Sequence, residues 1–402
     1  MHKFLWIGSY LPGNLYTKAV SYGYRNASSY TFQRNIVEGI NMIGGIRMDV
    51  ISCLSIKGFP VIGPLMMPSS HFQLPNEGKG VLCGYLNPLY VNKYISSLSI
   101  KVEARNWIKQ NPHCSKVDIF VYEMRSACLS AALYIKKRLP GARIHLIVPD
   151  LPIYMDLNMG LMKTMLKRID SKLINKYLKH VDTFILYAES MADYLKVRDK
   201  KWMLMEGSIH ADDIVRIESS IKSEKPSCRD KVIIMYSGMI EKRYGLDYFL
   251  DAIKMLDDRY QAWFTGDGSY ADVLREEAKR HPKKIKYYGY LNTRDELLAL
   301  QQKATVLINI RNPQEEASKY CFPSKLFEYI LTGKSVLSAD LEGIPSEYRN
   351  YINIIDDYTS HGMVEAIEKV NINCSNQGRE FIKKNKNAIV QSMRIVEFVT
   401  KS

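Results

Sequence analysis

The 402-residue sequence lacks the patterns that mark metal sites and disulfide frameworks. Its seven cysteines include no CxxC pair, no Asp-x-Asp triplet occurs, and its eight histidines form no HxxxH pair. An odd number of scattered cysteines is typical of a protein from a reducing compartment. We therefore expect a cytoplasmic protein without a metal cofactor.

Long apolar runs are also missing. The N-terminal residues 1–13 hold an apolar run that is too short for a secretory signal core. No later stretch approaches the roughly 20 apolar residues that are needed to span a bilayer. The sequence therefore predicts a protein that neither crosses a membrane nor follows the secretory route.

Acidic residues are outnumbered by basic ones, 42 against 56, which gives a formal net charge of +14. Such a charge favours a negatively charged partner: nucleic acid, an anionic membrane face or a phosphorylated small molecule. The sequence contains no zinc-finger spacing, basic zipper region or RNP-like aromatic motif. We therefore expect no nucleic-acid partner.

Short apolar strands alternate with helix-like segments along the whole chain. A polar segment at residues 222–227 separates two such runs. Before it, strands are predicted at 4–8, 48–54, 118–122, 144–148 and 183–187, with helices at 32–43 and 126–138. After it, strands are predicted at 232–236, 261–265, 285–288, 305–310 and 335–338, with helices at 246–256, 270–280, 294–301 and 324–331. This rhythm predicts an α/β fold with two doubly wound, Rossmann-like domains.

The segment richest in candidate chemistry begins the helix predicted at 324–331. Ligands of open α/β sheets bind beyond the carboxyl ends of the strands, where helix N-termini offer free N–H groups. The hydroxyl of Ser324, the ammonium of Lys325 and the positive helix end suit a diphosphate. Glu328 follows one turn later on the same face, where its carboxylate can accept bonds from two ribose hydroxyls. An ordinary capped helix with an exposed Lys–Glu pair explains the same pattern equally well when it is taken alone.

Motifs in and around this helix, and elsewhere in the sequence, favour the ligand-site interpretation. Phe322 to Ile330, followed by Gly333-Lys334-Ser335, resembles the donor-site signature of the family 4 retaining glycosyltransferases. Residues 232–238 resemble the strand and glycine that open the nucleotide-binding domain of that family. Further similar stretches are residues 241–247, Gly266-Asp267-Gly268, residues 288–291, Pro149-Asp150-Leu151-Pro152 and Met205-Glu206-Gly207. The resemblance covers nearly the whole chain and is stronger in its second half.

The resemblance implies the GT-B architecture, in which two Rossmann-like domains face each other across a cleft. Residues 1–207 would form the acceptor-side domain and 208–386 the nucleotide-sugar-binding domain, with 387–402 packing back on the first. It also implies metal-independent hexosyl transfer with retention, from an NDP-sugar to a saccharide acceptor, with a UDP-sugar and a lipid-linked acceptor favoured. The expected setting is assembly of a surface polysaccharide or glycan at the cytoplasmic membrane face.

Site residues follow from the pattern and the resemblance together. Arg243 and Lys325 would stabilise the departing diphosphate, and Asp150 would orient an acceptor hydroxyl. Asp150 and Glu206 are the acceptor-side candidates, and the donor-binding candidates are Gly13, Gly238, Lys242, Gly266, Tyr290, Phe322, Pro323, Ser324 and Glu328. The alternative interpretations are a tight turn at 8–14, a cap between prolines at Asp150 and an exposed turn carboxylate at Glu206.

The chain departs from the family pattern at three positions. The first of the family's two glutamates is Tyr320 here, its phosphate-loop arginine is Met239, and its lysine is Tyr244, so that Lys242 or Arg243 would have to substitute. Two alternatives stay open, and the missing glutamate favours the second of them. One is a GT-B sugar-nucleotide epimerase or hydrolase, and the other is a catalytically silent nucleotide-sugar-binding protein.

A basic amphipathic helix is predicted at residues 161–180, where lysines and an arginine alternate with leucines, methionines and isoleucines. Most such helices cover a core, and that is the first interpretation. Contact with an anionic membrane surface is the second, and it agrees with the net charge and with a lipid-linked acceptor.

Overall fold

The computed structural model describes residues 2–24, 26–151, 161–223, 231–372 and 376–401. The chain divides into two compact units. The first comprises Met1–Ser208 with Ala388–Ser402, and the second comprises Ile209–Asn387. Each unit contains a mainly parallel sheet flanked by helices, which confirms the predicted α/β class with two Rossmann-like units.

In the described residues, eight strands form the sheet of the first unit. Their spatial order is Lys201–Leu204 (β10), Thr183–Leu186 (β9), Ala142–Val148 (β8), Lys116–Tyr122 (β7), His2–Gly8 (β1), Met48–Ser52 (β2), Lys79–Leu82 (β5) and Ser70–Gln73 (β4). All neighbours are parallel except β4 and β5. Met66–Met67 (β3) pairs separately with Tyr85–Leu86 (β6) in antiparallel orientation. The central strands β1 and β7 are buried along almost their whole length, as expected of parallel strands with helices on both faces.

Helices cover both faces of this sheet. They are Gly13–Ser21 (α1), Ala27–Asn41 (α2), Asn92–Gln110 (α3), Ser126–Lys136 (α4), Leu161–Leu178 (α5), Ser190–Tyr194 (α6) and the C-terminal Ala388–Thr400 (α15). Helix α4 packs against both α3 and α5, whereas α15 packs against α2. The Ser392 hydroxyl donates a hydrogen bond to the carbonyl oxygen of Ile36 at 3.3 Å, so the C-terminal helix is anchored to the first unit.

A buried polar cluster joins three strands of this sheet. The fully buried Asp118 of β7 accepts hydrogen bonds from Arg143 Nε at 2.8 Å, His145 Nε2 at 3.0 Å and His2 Nε2 at 2.6 Å. Burial opposes ionisation of Asp118, but these donors outweigh it and hold its pKa below the usual carboxyl range. Burial also lowers the pKa of His145. Because neutral His145 donates from Nε2, its Nδ1 accepts from the Thr183 hydroxyl at 2.7 Å.

The second unit contains a parallel sheet with a reversal of strand order. The described strands lie in the order Ile285–Tyr287 (β13), Tyr260–Thr265 (β12), Val232–Ser237 (β11), Val306–Asn309 (β14), Ser335–Ala339 (β15) and Asn353–Ile355 (β16). The chain builds the sheet outward from β11 to β13 and then returns to add β14 on the other side of β11. This creates a topological switch point between β11 and β14, where ligands of doubly wound folds bind.

The helices of the second unit form one layer on each face of its sheet. They are Ala211–Ser223 (α7), Leu246–Met255 (α8), Ala271–Arg280 (α9), Arg294–Lys303 (α10), Glu316–Lys319 (α11), Lys325–Thr332 (α12), Ser360–Lys369 (α13) and Asn376–Asn385 (α14). Successive residues of a strand point to opposite faces. Ile234 therefore packs in the core under α8 and α13, while Met235 packs in the core under α7 and α12.

Most predicted elements are present, with shifted ends. The helix predicted at 32–43 begins at Ala27, because the Asn26 side chain caps it by accepting a hydrogen bond from Ser29 N at 3.1 Å. The strand predicted at 48–54 ends at Ser52. Residues 8–14 are not a simple turn, because α1 begins at Gly13.

Candidate functional site

The candidate site of the second unit lies at the carboxyl ends of β11 and β12. Gly238 N donates a hydrogen bond to Thr265 O at 3.0 Å, and Gly266 N donates to Gly289 O at 2.9 Å. Gly266 has φ of +134°, and a Cβ at this position would stand 1.7 Å from Gly238 O. Only glycine fits there, and its absence of a side chain lets the two loops lie in direct contact.

Lys325 reaches back from the first turn of α12 to the end of β11. Its Nζ donates a hydrogen bond to Ser237 Oγ at 3.2 Å, and the hydroxyls of Ser237 and Tyr329 lie 2.8 Å apart. Ser237 N also donates to Tyr329 Oη at 3.2 Å. Ser237 Oγ is the one side-chain acceptor that Lys325 has among the described residues, which leaves further protons of its ammonium for an anion.

Glu328 is held from two sides. Gln301 Nε2 donates to one carboxylate oxygen at 2.5 Å, and Arg294 Nη2 donates to the other at 3.0 Å. Arg294 also lies 3.3 Å from a carboxylate oxygen of Asp213. The Glu328 side chain is 14% exposed, so its carboxylate is fixed in orientation but still accessible. Each carboxylate oxygen has a second lone pair, and two hydroxyl donors can be accepted in addition.

The pKa of Lys325 lies below the usual lysine range. Burial is the main cause, the positive charge of Arg294 adds to it, and Glu328 partly opposes it. A buried ammonium with few partners gains most when an anion binds beside it. Lys325 therefore combines a positive charge with a partly desolvated environment that a bound anion would stabilise.

The loop after β11 carries two exposed cations, Lys242 and Arg243, in a short 3-10 turn. The loop is anchored by Glu241, whose carboxylate accepts from the hydroxyl of Ser269 at 2.6 Å and from Ser269 N at 3.1 Å. These hydrogen bonds lower the pKa of Glu241. On the other side, Tyr358 Oη donates to Ile310 O at 2.5 Å beneath the loop.

Arg311 is a further cation at this edge that sequence reasoning missed. It follows β14, and its guanidinium donates to Ser318 Oγ at 3.3 Å and to Cys321 Sγ at 3.1 Å. The same guanidinium lies 5.4 Å from the ring centroid of Tyr244. A basic residue directly after a predicted strand was the available signal. The sequence also missed Ser237, Gln301 and Arg294, because nothing local marks them as partners of Lys325 and Glu328.

The remaining donor-binding candidates differ in how far their side chains are exposed. Phe322 is buried in the core, with its ring centroid 5.0 Å from those of Phe327 and Tyr348, so only its backbone is offered to a ligand. Pro323 is buried beside it, and Ser324 is exposed at the N-cap of α12. Tyr290 is 74% exposed after the edge strand β13.

The first unit places its three candidates at the carboxyl ends of its own strands. Gly13 is exposed at the N-terminus of α1, and Asp150 is exposed just after β8. Glu206 follows β10 and is only 2% exposed, so its interpretation as an exposed turn carboxylate is wrong. Pro152 lies outside the described residues.

Glu123 is a carboxylate of the first unit that the sequence did not single out. It directly follows β7 in a left-handed backbone conformation, with φ of +66°, and accepts a hydrogen bond from Ser29 Oγ at 2.8 Å. Such a conformation is costly for a side chain longer than that of Asn or Asp, and it recurs at ligand sites.

Two features are absent from the described ranges. No described helix has the length and apolar character to cross a bilayer. No group of three or more His, Cys, Asp or Glu side chains within those ranges is arranged to hold a metal ion.

Comparison with known proteins indicates the class of enzyme. Residues 218–388 match the family model for "Glycosyl transferases group 1". A sequence comparison with curated proteins finds no match. The matched residues lie almost entirely in the second unit, which therefore resembles a glycosyltransferase group 1 domain, and the protein is an enzyme of the hexosyltransferase type.

Solved structures extend the likeness to the whole chain. The lipopolysaccharide outer core galactosyltransferase WaaB, in its apo form, superposes with a TM-score of 0.63 at 12% identity, covering 100% of this chain and 99% of WaaB. Sucrose-phosphate synthase from Thermosynechococcus elongatus gives 0.61 at 11% identity, covering 99% and 98%. Anabaena HepE in complex with UDP gives 0.61 at 10% identity, covering 100% of both chains. At these identities the comparison shows the fold, which is GT-B.

Proposed function

We propose that this enzyme transfers a hexose from an NDP-sugar, with UDP-sugars favoured, to a hydroxyl of a saccharide acceptor, with retention at the anomeric carbon. Assignment to the family 4 glycosyltransferases is part of the proposal. The observation that carries it is the placement of Lys325 and Glu328 on the first turns of α12, beside the switch point of the second unit.

The donor would be held by complementary charge. The ammonium of Lys325 and the free N–H groups at the start of α12 suit the diphosphate, and Lys242, Arg243 and Arg311 add positive charge nearby along the same sheet edge. Glu328 is oriented to accept from the ribose hydroxyls. Cations and helix dipoles would stabilise the leaving group without a metal. The UDP preference draws on HepE, whose structure contains UDP.

The acceptor side of the proposal rests on the first unit. Asp150 is exposed at the end of β8, where its carboxylate can orient an acceptor hydroxyl. Glu206 is buried, so its role would be to position the backbone after β10 rather than to bind sugar directly. We further propose a lipid-linked acceptor, a role in surface polysaccharide or glycan assembly, and a cytoplasmic enzyme that associates peripherally with the membrane.

The decisive experiment measures thermal shifts with UDP, GDP, ADP, CMP and dTDP and with their sugars, because a ligand that binds the native state raises its melting temperature. We expect one nucleotide family to stabilise the protein and Glu328→Ala to abolish that shift. Glu365→Ala, which removes an exposed carboxylate of α13, is the control and should retain the shift. No shift with any nucleotide contradicts the proposal.

Tyr320, which replaces the first family glutamate, favours a second candidate: a nucleotide-sugar-binding protein without transfer activity. A hydrolase or epimerase of the same fold is the third. Product analysis separates them. The transferase consumes donor only with acceptor present, the hydrolase or epimerase consumes it alone, and the silent protein binds without turnover.

A further inference from the structure

Helix α3 exposes an apolar stripe where a surface helix normally carries polar residues. Its buried face holds Ser96, Ile100, Ala104 and Trp107. On the opposite face, Val91 just before the helix and Tyr94, Leu98 and Val102 recur at helical spacing and are 46–69% exposed. A stripe of this kind on a soluble protein marks a surface that contacts another partner.

Further exposed apolar side chains lie in the segment that leads into α3. Phe59 N donates a hydrogen bond to Asn87 O at 2.8 Å, and Asn87 N donates to Leu65 O at 2.7 Å. Met66 pairs with Leu86 in the small β3–β6 sheet, which α3 contacts. These bonds join residues 59–66 and 85–91 into one structure, whose exposed apolar side chains are Phe59, Val61, Ile62, Leu65, Met66, Leu86 and Tyr90.

Helix α5 repeats the arrangement on the other side of α4. Met165, Ile169 and Leu173 are spaced four residues apart and exposed, with Met165 at 65%. Both α3 and α5 pack against α4, so the three helices form one layer of the first unit. The exposed side of this layer, together with the β3–β6 segment, is called the α3–α5 face.

The charges around this face are mostly positive. Between residues 54 and 110, which include all of α3, the sequence has two acidic residues, Glu77 and Glu103, against five lysines and one arginine. Lys57, Lys93 and Arg105 are exposed around α3, and Arg168, Lys172 and Lys176 are exposed on α5. Apolar side chains beside exposed cations fit the boundary between acyl chains and anionic headgroups of a membrane.

A second copy of the chain fits this face less well. A two-fold interface places the same patch of both copies in contact, so the lysines and arginines around α3 and α5 would meet their own equivalents. Like charges brought together in an interface disfavour association. An anionic lipid surface supplies the opposite sign along the whole face.

We propose that the α3–α5 face docks the enzyme on anionic phospholipid bilayers, with its apolar stripes in the interface and its cations against the headgroups. The docking deepens the proposed function, because it would bring the enzyme to a lipid-linked acceptor. Binding to lipid itself depends on neither donor nor acceptor, so it is measured separately.

The test is flotation of the full chain with vesicles of phosphatidylcholine alone or mixed with phosphatidylglycerol. We expect binding to the mixed vesicles that weakens with salt. Leu98→Ser with Val102→Ser should weaken it roughly tenfold or more, since two apolar side chains leave the interface. Lys93→Glu with Arg105→Glu should have an effect of roughly the same size. Val215→Ser with Val273→Ser, at exposed positions of α7 and α9, is the control and should bind fully.

Several results would overturn the docking. These are absence of binding to the mixed vesicles, full binding by both variant pairs, or a dimer in light scattering that Leu98→Ser with Val102→Ser dissociates. The last would assign the face to a second copy. The nucleotide-induced thermal shift is measured on the same variants and should be unchanged. Its absence alongside intact vesicle binding would count against the donor site only.

Discussion

Lys325 Nζ lies 3.2 Å from Ser237 Oγ, which ties the first turn of α12 to the carboxyl end of β11. The two residues are 88 positions apart in the chain. Their contact holds a partly desolvated ammonium at the switch point of the second unit, where the proposed diphosphate would complete its hydrogen bonding. The environment of Lys325 is therefore set by the sheet as well as by Glu328 of its own helix.

Removing this ammonium should impair transfer far more than folding. We expect Lys325→Met to lower kcat/KM roughly 100-fold or more, because a cation beside a leaving group acts most strongly in the transition state. Steady-state kinetics measure the effect, and unfolding curves check that the protein stays native. Lys369→Met, at an exposed position of α13, is the matched control. Equal activity of the two variants would exclude Lys325 from the diphosphate site.

The lowered pKa of Lys325 predicts a pH dependence of nucleotide binding. Burial in the folded protein disfavours the charged form of Lys325. The free energy of unfolding therefore increases as pH rises through the lowered pKa toward the usual lysine value. Binding of a diphosphate depends on pH in the opposite direction, because it requires the protonated, charged form of Lys325. We expect UDP affinity, measured by calorimetry, to fall with rising pH below the usual lysine range.

Lys325→Arg is the control for this titration, because arginine remains charged at every pH used. The affinity of this variant for UDP should not decline as pH rises, even if that affinity is lower at neutral pH. The same decline in both proteins would assign the titration to another group.

The Glu328 carboxylate should accept hydrogen bonds from the ribose hydroxyls of the nucleotide. We expect UDP to bind roughly tenfold more tightly than its 2′-deoxy analogue, since a hydrogen bond to a charged group contributes about 1.5 kcal/mol. In Glu328→Gln this preference should shrink toward unity. The four dissociation constants form a double-mutant cycle. A preference that survives the substitution would mean that Glu328 serves only to hold Arg294 and Gln301.

Gly266 should tolerate no side chain. Its φ of +134° and the 1.7 Å approach of a new Cβ to Gly238 O leave Gly266→Ala with strain and a backbone clash. We expect a loss of about 2 kcal/mol or more in the free energy of unfolding, together with weaker nucleotide binding. Denaturant unfolding measures the first. Gly44→Ala, where a Cβ meets nothing within 4 Å, is the control and should change stability little.

Asp118 should stabilise the first unit in a pH-dependent manner. Its folded pKa is depressed, so its contribution is present above the usual carboxyl pKa and is lost as pH falls through the folded value. Asp118→Asn should cost about 3 kcal/mol at neutral pH, because Arg143 and two histidines lose their buried partner. The cost should diminish in acid. Unfolding curves at several pH values test this, and a cost that does not vary with pH would contradict it.

The sequence determined the local structure well. Apolar strands and amphipathic helices follow from side-chain spacing, so the order of elements and the two Rossmann-like units could be read directly. The glycines at 238 and 266 and the Pro323-Ser324-Lys325 start of α12 are also local signals, since each depends on backbone geometry or helix-end chemistry. That is why Lys325 and Glu328 could be chosen as candidates before the fold was known.

Tertiary structure alone decided which groups meet. Ser237, Gln301 and Arg294 become partners of Lys325 and Glu328 because strand order brings distant segments together, and no spacing in the chain encodes that. Glu206 is buried for the same reason. Helix α3 has apolar residues on two faces, and only its packing against α4, β2 and β6 decided that Ile100 and Trp107 are covered while Leu98 and Val102 are exposed. The burial of a side chain depends on which distant segments pack against it, whereas the sequence specifies only its neighbours along the chain.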